Sequence, residues 1–459
     1  MASLLVCMSS LMLIFSICAY VFQLVTDGRR RLPPGPRPLP LIGNLLDLVN
    51  ELPHRSLARL ARRHGPLMTV RLGTMATVVV SSPSTARELL HTHNSILTGH
   101  NPPDAWLAHG HGANSVFVLP LGHKWRALRR VGTEHLLSTR HLNGERMRPL
   151  LRDAAVGLVH RVAAELAAAP VEVGRAVSTA AMGLQWQAMF SAGLDDTDDD
   201  DAVLLDAARE AVALSLKPNV SDLFPALAVA DLQARFSSPV ETFYWRSRTL
   251  PLKLTYWKIS DTSFQERWPC LQGVRRRFAR RVAIVYRRID EQIERRMQAR
   301  QEDGGRSSLG EKDLLDGMLD TLEQGNGGGV VTINRDMMRT FLTDIFLAAV
   351  DTISTTVEWA MAELRTTTPT HTEKVAGGAQ DGSGLQDTHV EHSDVDRLPY
   401  LRAVIRETLR LHTVVPLVPN KAEETVEIHG HTVPKGCTVL VNIWAARVDA
   451  HAGGEGEWP

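Results

Sequence analysis

At 459 residues the chain is several times longer than one hydrophobic core requires. Hydrophobic residues make up 44% and charged residues 22%, and 51 Lys plus Arg balance 51 Asp plus Glu. That excludes a collagen-like or largely disordered chain and leaves no basic field to recruit nucleic acid. Four cysteines do not make a disulfide scaffold, and only Cys270 and Cys437 lie outside the apolar N-terminus.

Residues Leu4–Val25 carry no charge over 22 positions, enough for a helix to cross a bilayer. Large residues (Tyr20, Val21, Phe22) sit near the end of the run, where a cleaved signal would place small ones. The run therefore reads as an uncleaved anchor, with a cleaved signal as the alternative. Arg29, Arg30 and Arg31 follow it and no basic residue precedes it. Basic flanks stay cytoplasmic, so the body is expected in the cytosol. Residues 26–40 then form a basic and Pro-rich strap ending in Leu32-Pro33-Pro34-Gly35-Pro36-Arg37-Pro38-Leu39-Pro40, stiff and extended because Pro fixes φ.

The rest, 41–459, reads as mainly α. Helical periodicity marks Pro53–His64, Pro83–Thr92, His123–Leu137, Met147–Ala167, Arg275–Arg300, Asn334–Leu364 and Leu398–Leu411. Alternation at Leu67–Leu72 and Thr77–Ser81, with Gly-Thr-Met between, suggests a hairpin. Thr425–Ile428 and Thr438–Asn442 suggest another small sheet. No repeating βαβ unit is visible.

Two stretches look foreign to this plan. Phe236–Trp268 holds eight of the 25 aromatic residues, and the near repeats Asp231-Leu232-Gln233 and Leu271-Gln272-Gly273 bracket it. Residues 234–270 are read as an insertion, with an aromatic membrane-facing loop as the alternative. Residues 366–388, rich in Thr, Gly and Ser, read as an irregular loop. The acidic run Asp195–Asp201 reads as a solvated loop.

The chemistry-bearing residues concentrate in three segments. Asn334–Leu364 runs 31 residues without Gly or Pro, and Asn334 is a good N-cap. Its middle, Ala348-Ala349-Val350-Asp351-Thr352, sets an acid and an alcohol beside small residues in an apolar helix. An acid costs desolvation there unless satisfied, and small side chains admit a ligand. The bland alternative is a packed core helix with one buried acid. Glu407 and Arg410 stand three apart on Leu398–His412 and share a helix face. Their apolar neighbours point to a partly buried pair that fixes geometry more than it stabilises. His123–Arg130 offers Trp125, Arg126 and Arg129, suited to carboxylates or equally to any basic amphipathic helix.

Anchor, strap and these motifs, in this order, resemble the cytochrome P-450 superfamily of haem-thiolate monooxygenases, of plant microsomal type. Ala-Ala-Val-Asp-Thr is similar to the family's oxygen-binding motif, Glu-Thr-Leu-Arg to its Glu-x-x-Arg motif, and Trp-Arg-x-x-Arg to the helix that meets the haem propionates. Leu398-Pro399-Tyr400-Leu401 and Val433-Pro434-Lys435-Gly436 point to the plant group that includes geraniol hydroxylases. The resemblance implies the P-450 fold, with small β-sheets, behind one N-terminal transmembrane helix in the endoplasmic reticulum membrane. It implies haem b, an NADPH-cytochrome reductase partner, O2, and a small apolar, terpenoid-like substrate of secondary metabolism. Asp351 and Thr352 would deliver protons. Trp125, Arg126 and Arg129 would hold the cofactor's propionates, with Ala348 and Ala349 against it. Glu407 and Arg410 would form the structural ion pair.

Two departures qualify this. Ala349 stands where the family usually has Gly. The family's Phe-x-x-Gly-x-Arg-x-Cys-x-Gly loop does not occur in the 49 residues after Arg410. Cys437, in Lys-Gly-Cys-Thr, reads as a small core residue rather than a ligand. The expected ligand cysteine is therefore placed beyond Pro459, and the chain reads as truncated. The alternative function is a non-catalytic remnant that cannot hold haem through a thiolate. The His-x-His pairs His91/His93 and His109/His111 read as solvated or core imidazoles rather than metal ligands.

Overall fold

A computed structural model describes residues 31–142, 144–167, 169–194, 198–225, 273–302, 312–325, 333–367 and 398–449. The apolar run 4–25, the proposed insertion 234–270 and nearly all of the irregular stretch 366–388 lie outside them. In chain order the main helices are α1 (Pro53–His64), α2 (His123–Gly132), α3 (Met147–Leu166), α4 (Val173–Phe190) and α5 (Asp198–Ser215). They continue with α6 (Val274–Glu302), α7 (Leu314–Gly325), α8 (Arg335–Thr367), α9 (Pro399–Leu411) and α10 (Ile443–Asp449). The strands are β1 (Leu67–Leu72), β2 (Met75–Val80), β3 (Leu417–Lys421), β4 (Val426–Ile428), β5 (His431–Val433) and β6 (Thr438–Asn442). The molecule is mainly α with small sheets. It divides into a sheet-bearing unit (Met1–Asn101, Pro218–Gly273, Val415–Glu455) and a helical unit that holds most of the rest.

In the sheet unit the strand order is β1-β2-β6-β3, and β4 pairs only with β5. The β1–β2 hairpin turns at Gly73-Thr74, and Gly73 takes a φ of 63°. The expected second sheet is corrected here. Thr438–Asn442 joins the hairpin sheet, parallel to β2 and antiparallel to β3, while the segment at Val426 forms a separate two-stranded ribbon. Strand β3 went unpredicted because Pro419 interrupts its pattern. It is an edge strand, where a missing N–H is tolerated. Both edges are covered. Thr69 donates its N–H to the Pro34 carbonyl beside β1, and Lys421 donates to the Gly99 carbonyl beside β3. A side chain on Gly35 would collide with the Thr69 carbonyl, so the strap needs glycine at its closest approach.

In the helical unit α8 is the spine. Its 33 residues span about 50 Å. The Asn334 side chain accepts the Met337 N–H at 2.8 Å, the expected cap. Phe341, Leu342, Phe346 and Val350 are fully buried, with Phe346 edge-on to Trp186 of α4 at 5.5 Å. Helix α8 is long and apolar enough to cross a membrane, but this packing makes it a core helix. Phe341 also packs on Gly132 of α2, where a Cβ would come within 2.8 Å of the ring.

Helices α4, α5 and α7 were not anticipated. Nearly every face of α4 is buried, so it carries no amphipathic stripe. The acidic run is corrected: Asp198–Asp201 opens α5, where carboxylates suit the positive end of the helix dipole. The basic helix α6 is largely occupied within the chain. Arg277 and Arg281 pair with Glu210, and Arg296 with Asp313 and Asp316. Arg300 reaches Asp316 and Asp320.

Candidate functional site

The residues singled out in the sequence lie in the helical unit, on α2, α8 and α9. Val350 faces the core with no exposure, while Ala348, Thr352 and Ile353 turn outward. A helix buries one stripe and opens another, and Ala348, Thr352 and Thr356 fall four apart along the open one. Thr352 Oγ1 donates to the Ala348 carbonyl at 3.1 Å, and Thr356 Oγ1 to the Thr352 carbonyl at 2.8 Å. The hydroxyls thus bond backward along the helix, as buried or ligand-facing threonines do when no other acceptor is at hand.

Asp351 is the neighbouring residue, about 100° round the helix, but points elsewhere. Its Oδ1 accepts from Arg209 Nε of α5 at 3.1 Å, and each side chain keeps 20% of its exposure. Burial pushes the Asp351 carboxyl above the usual carboxylate range, and Arg209 works against that rise. Glu358 is raised by burial too, with Arg209 again opposing. Arg209 therefore serves two acids of α8. Sequence reasoning missed it because the partners lie 142 positions apart.

On α2, Trp125, Arg126, Arg129 and Arg130 line an open cavity of about 390 Å³. Arg126 and Arg129 are exposed and have no carboxylate partner among the described residues. The Trp125 indole N–H is engaged, donating to the Val116 carbonyl at 3.2 Å. Glu407 and Arg410 form a two-bonded pair on α9, with Arg410 Nε at 2.7 Å from Glu407 Oε2 and each about one-fifth exposed. Next to it, His412 stacks on Trp359 of α8 at 3.8 Å and bonds Glu363 at 2.7 Å.

Two guanidinium groups without a carboxylate partner among the described residues suit the anionic edge of a haem, and the small side chains of Ala348 and Ala349 would admit its plane. Cys437 does not fit as its thiolate ligand. It is buried among Val78, Val439 and their neighbours in the sheet unit, and burial pushes its thiol up to about 11. No cluster of His, Cys, Asp or Glu among the described residues is arranged to hold a metal ion. His111 is a core imidazole, 1% exposed.

With the geometry in view, comparison with known proteins places the chain. The cytochrome P-450 family profile matches residues 33–237 and 255–451. The chain belongs to that family. Carnosic acid synthase of Rosmarinus officinalis is 34% identical over 450 residues, covering 94% of this chain and 78% of that one. Geraniol 8-hydroxylase of Catharanthus roseus is 33% identical over 442 residues, 95% and 78% of the two chains. An 11-hydroxysugiol 20-monooxygenase of Salvia miltiorrhiza is 34% identical over 447 residues, 94% and 78%. Within the family, then, the chain falls with the plant geraniol-hydroxylase-like group. Residues 238–254, unmatched by the profile, lie inside the 234–270 stretch.

Proposed function

We propose that the protein is a membrane-anchored monooxygenase that inserts one oxygen atom of O2 into a small apolar, terpenoid-like metabolite. The observation that carries this reading is the open face of Ala348 and Thr352, set beside a partly buried acid that Arg209 holds. Arg126 and Arg129 would hold the propionates of haem b, Trp125 would pack at that edge, and Ala348 and Ala349 would lie against the ring. Haem with a thiolate ligand supplies the O2 activation, and an NADPH-cytochrome reductase the electrons. The chain's own part is proton delivery and positioning. Thr352 Oγ1 holds a proton on the open face. Asp351, whose carboxyl burial pushes up against the pull of Arg209, holds a proton more readily than a solvated carboxylate does. Glu407 and Arg410 fix the end of α9.

Residues 4–25 are proposed as a single-pass anchor in the endoplasmic reticulum membrane, 26–40 as the strap, and 41–459 as the cytosolic catalytic domain. Residues 234–270 are proposed as an insertion and 366–388 as an irregular loop. A second reading, a non-catalytic remnant, draws on Cys437, whose buried, high-pKa thiol is the opposite of a ligand thiolate. One experiment separates the two. The full chain is expressed in microsomes, reduced and treated with carbon monoxide, then supplied with NADPH, reductase and geraniol. A thiolate-type Soret band with an oxygenated product supports the monooxygenase; a chain that purifies folded but without haem supports the remnant.

A further inference from the structure

Helix α4 lies along α8 in a regular antiparallel seam. Trp186 meets Phe346 edge-on, with ring centroids 5.5 Å apart. Twelve residues earlier on α4 and twelve later on α8, a side chain at Gly174 would collide with the Glu358 carboxylate. Between those two points a four-residue repeat sets Met182 across from Val350 and Ser178 across from Ser354. One end of the seam is apolar, with Trp186, Met182, Phe346 and Val350 no more than 1% exposed. The other end is small and polar, and Glu358 closes it. Gly174 is the second residue of α4, where an N–H has no acceptor inside the helix. The Glu358 carboxylate accepts that N–H, and the positive end of the helix suits its charge. Only glycine lets the two come so close.

Glu358 also shares a face with Asp351. It stands seven residues further on, nearly two turns and roughly 10 Å along the axis of α8. Arg209 of α5 donates to Asp351 at 3.1 Å, and its charge reaches Glu358 as well. Burial raises the Glu358 carboxyl, Arg209 opposes the rise, and Asp351 and the exposed Glu172 add to it. The other charges nearby cancel. Arg175, next to Gly174, pairs at 3.9 Å with Asp206, one turn before Arg209. Three carboxylates, of Glu172, Asp351 and Glu358, therefore draw on one guanidinium group, which can offset only one of them.

We propose that Glu358 is a positioning residue for Asp351: it fixes the start of α4 and competes with Asp351 for Arg209, the guanidinium group that both acids face. Neutralising Glu358 leaves Arg209 to Asp351, which then gives up its proton at lower pH. The use of that proton rests on the function proposed above; the linkage between the two acids does not. Glu358→Gln separates the two roles, because an amide keeps an acceptor for the Gly174 N–H but loses the charge. Hydrogen exchange of the full chain reads the first role. Glu358→Ala should speed exchange in peptides spanning 172–178 about tenfold, while Glu358→Gln stays near wild type. Gly174→Ala, which drives the carboxylate away from the other side, should open the same peptides. Unchanged exchange in both alanine variants overturns the hold on α4. Thermal unfolding over a series of pH values reads the second role, as the gain of Asp351→Asn over its parent. That gain grows as pH rises from the unfolded carboxyl value to the folded one, then levels off. In the Glu358→Gln background it should level off at lower pH and end smaller than in the wild-type background. The same levelling-off pH in both backgrounds overturns the competition for Arg209. Neither measurement needs haem, so a chain that binds none counts against the functional reading while these results still decide the role of Glu358.

Discussion

Asp344 and Asp351 stand seven residues apart on α8, both acids in a mostly apolar helix, yet their surroundings differ. Asp344 is sealed, and both of its oxygens are taken by donors from the segment 104–118. Asp351 keeps 20% exposure, and one guanidinium group from α5 is its charged partner. The turn before Asp344 carries Phe341 and Leu342, which fill space; the turn before Asp351 carries Ala348 and Ala349, which leave it open. The contrast teaches that the size of the neighbouring side chains, more than the acid itself, separates a sealed carboxylate from one left partly open.

The sharpest way to break this comparison is to exchange volume on the two halves of α8. Phe341→Ala should cost about 3–5 kcal/mol in urea unfolding, because it empties a site packed on Gly132. Ile353→Ala, on the half-open face, should change stability by no more than about 0.5 kcal/mol. Equal losses at the two sites would erase the distinction. Next in size, Asp344→Ala strands the His111 and Val116 donors and should cost about 2–3 kcal/mol in the same measurement.

A smaller effect concerns pH. The folded carboxyl of Asp351 holds its proton more tightly than the unfolded one. The native state therefore binds more protons between the two pKa values, and stability falls as pH rises through that window. This is the reverse of a salt-bridged acid with a lowered pKa. Asp351→Asn should remove the dependence, so the variant gains on the wild type as pH climbs above the ordinary carboxylate value of about 4. Thermal unfolding at a series of pH values reads this directly. A variant that loses ground to the wild type as pH rises would contradict it. The smallest effect is at Glu407. Glu407→Gln, in a pair only one-fifth exposed, should lower stability by about 1 kcal/mol, and the loss should shrink little in added salt if the pair is shielded as the geometry shows.

Much of this molecule is legible in its sequence, for reasons that differ from place to place. Helix α1 runs from Pro53 to His64 as its pattern predicts, because a proline opens it and a glycine closes it. The motif around Asp351 is readable because acid, alcohol and small residues are adjacent in the chain. Arg209, His111 and Val116 are not readable, since their partners lie across 142, 233 and 228 positions and no local pattern announces them. Helix α4 escaped because burial on almost every side removes the polar stripe that marks a helix. The acids at the start of α5 misled because a run of like charge reads as solvated chain unless one asks which end of a helix it favours.

The covered margins of the four-stranded sheet have one further consequence. Pro34 and Gly99 supply carbonyls to the outer strands, and Pro419 withholds an N–H from any newcomer. Among the described residues these contacts interrupt the row of backbone groups on which a second polypeptide could zip. Protection of this kind does not depend on charge, so it should persist where salt screens the surface.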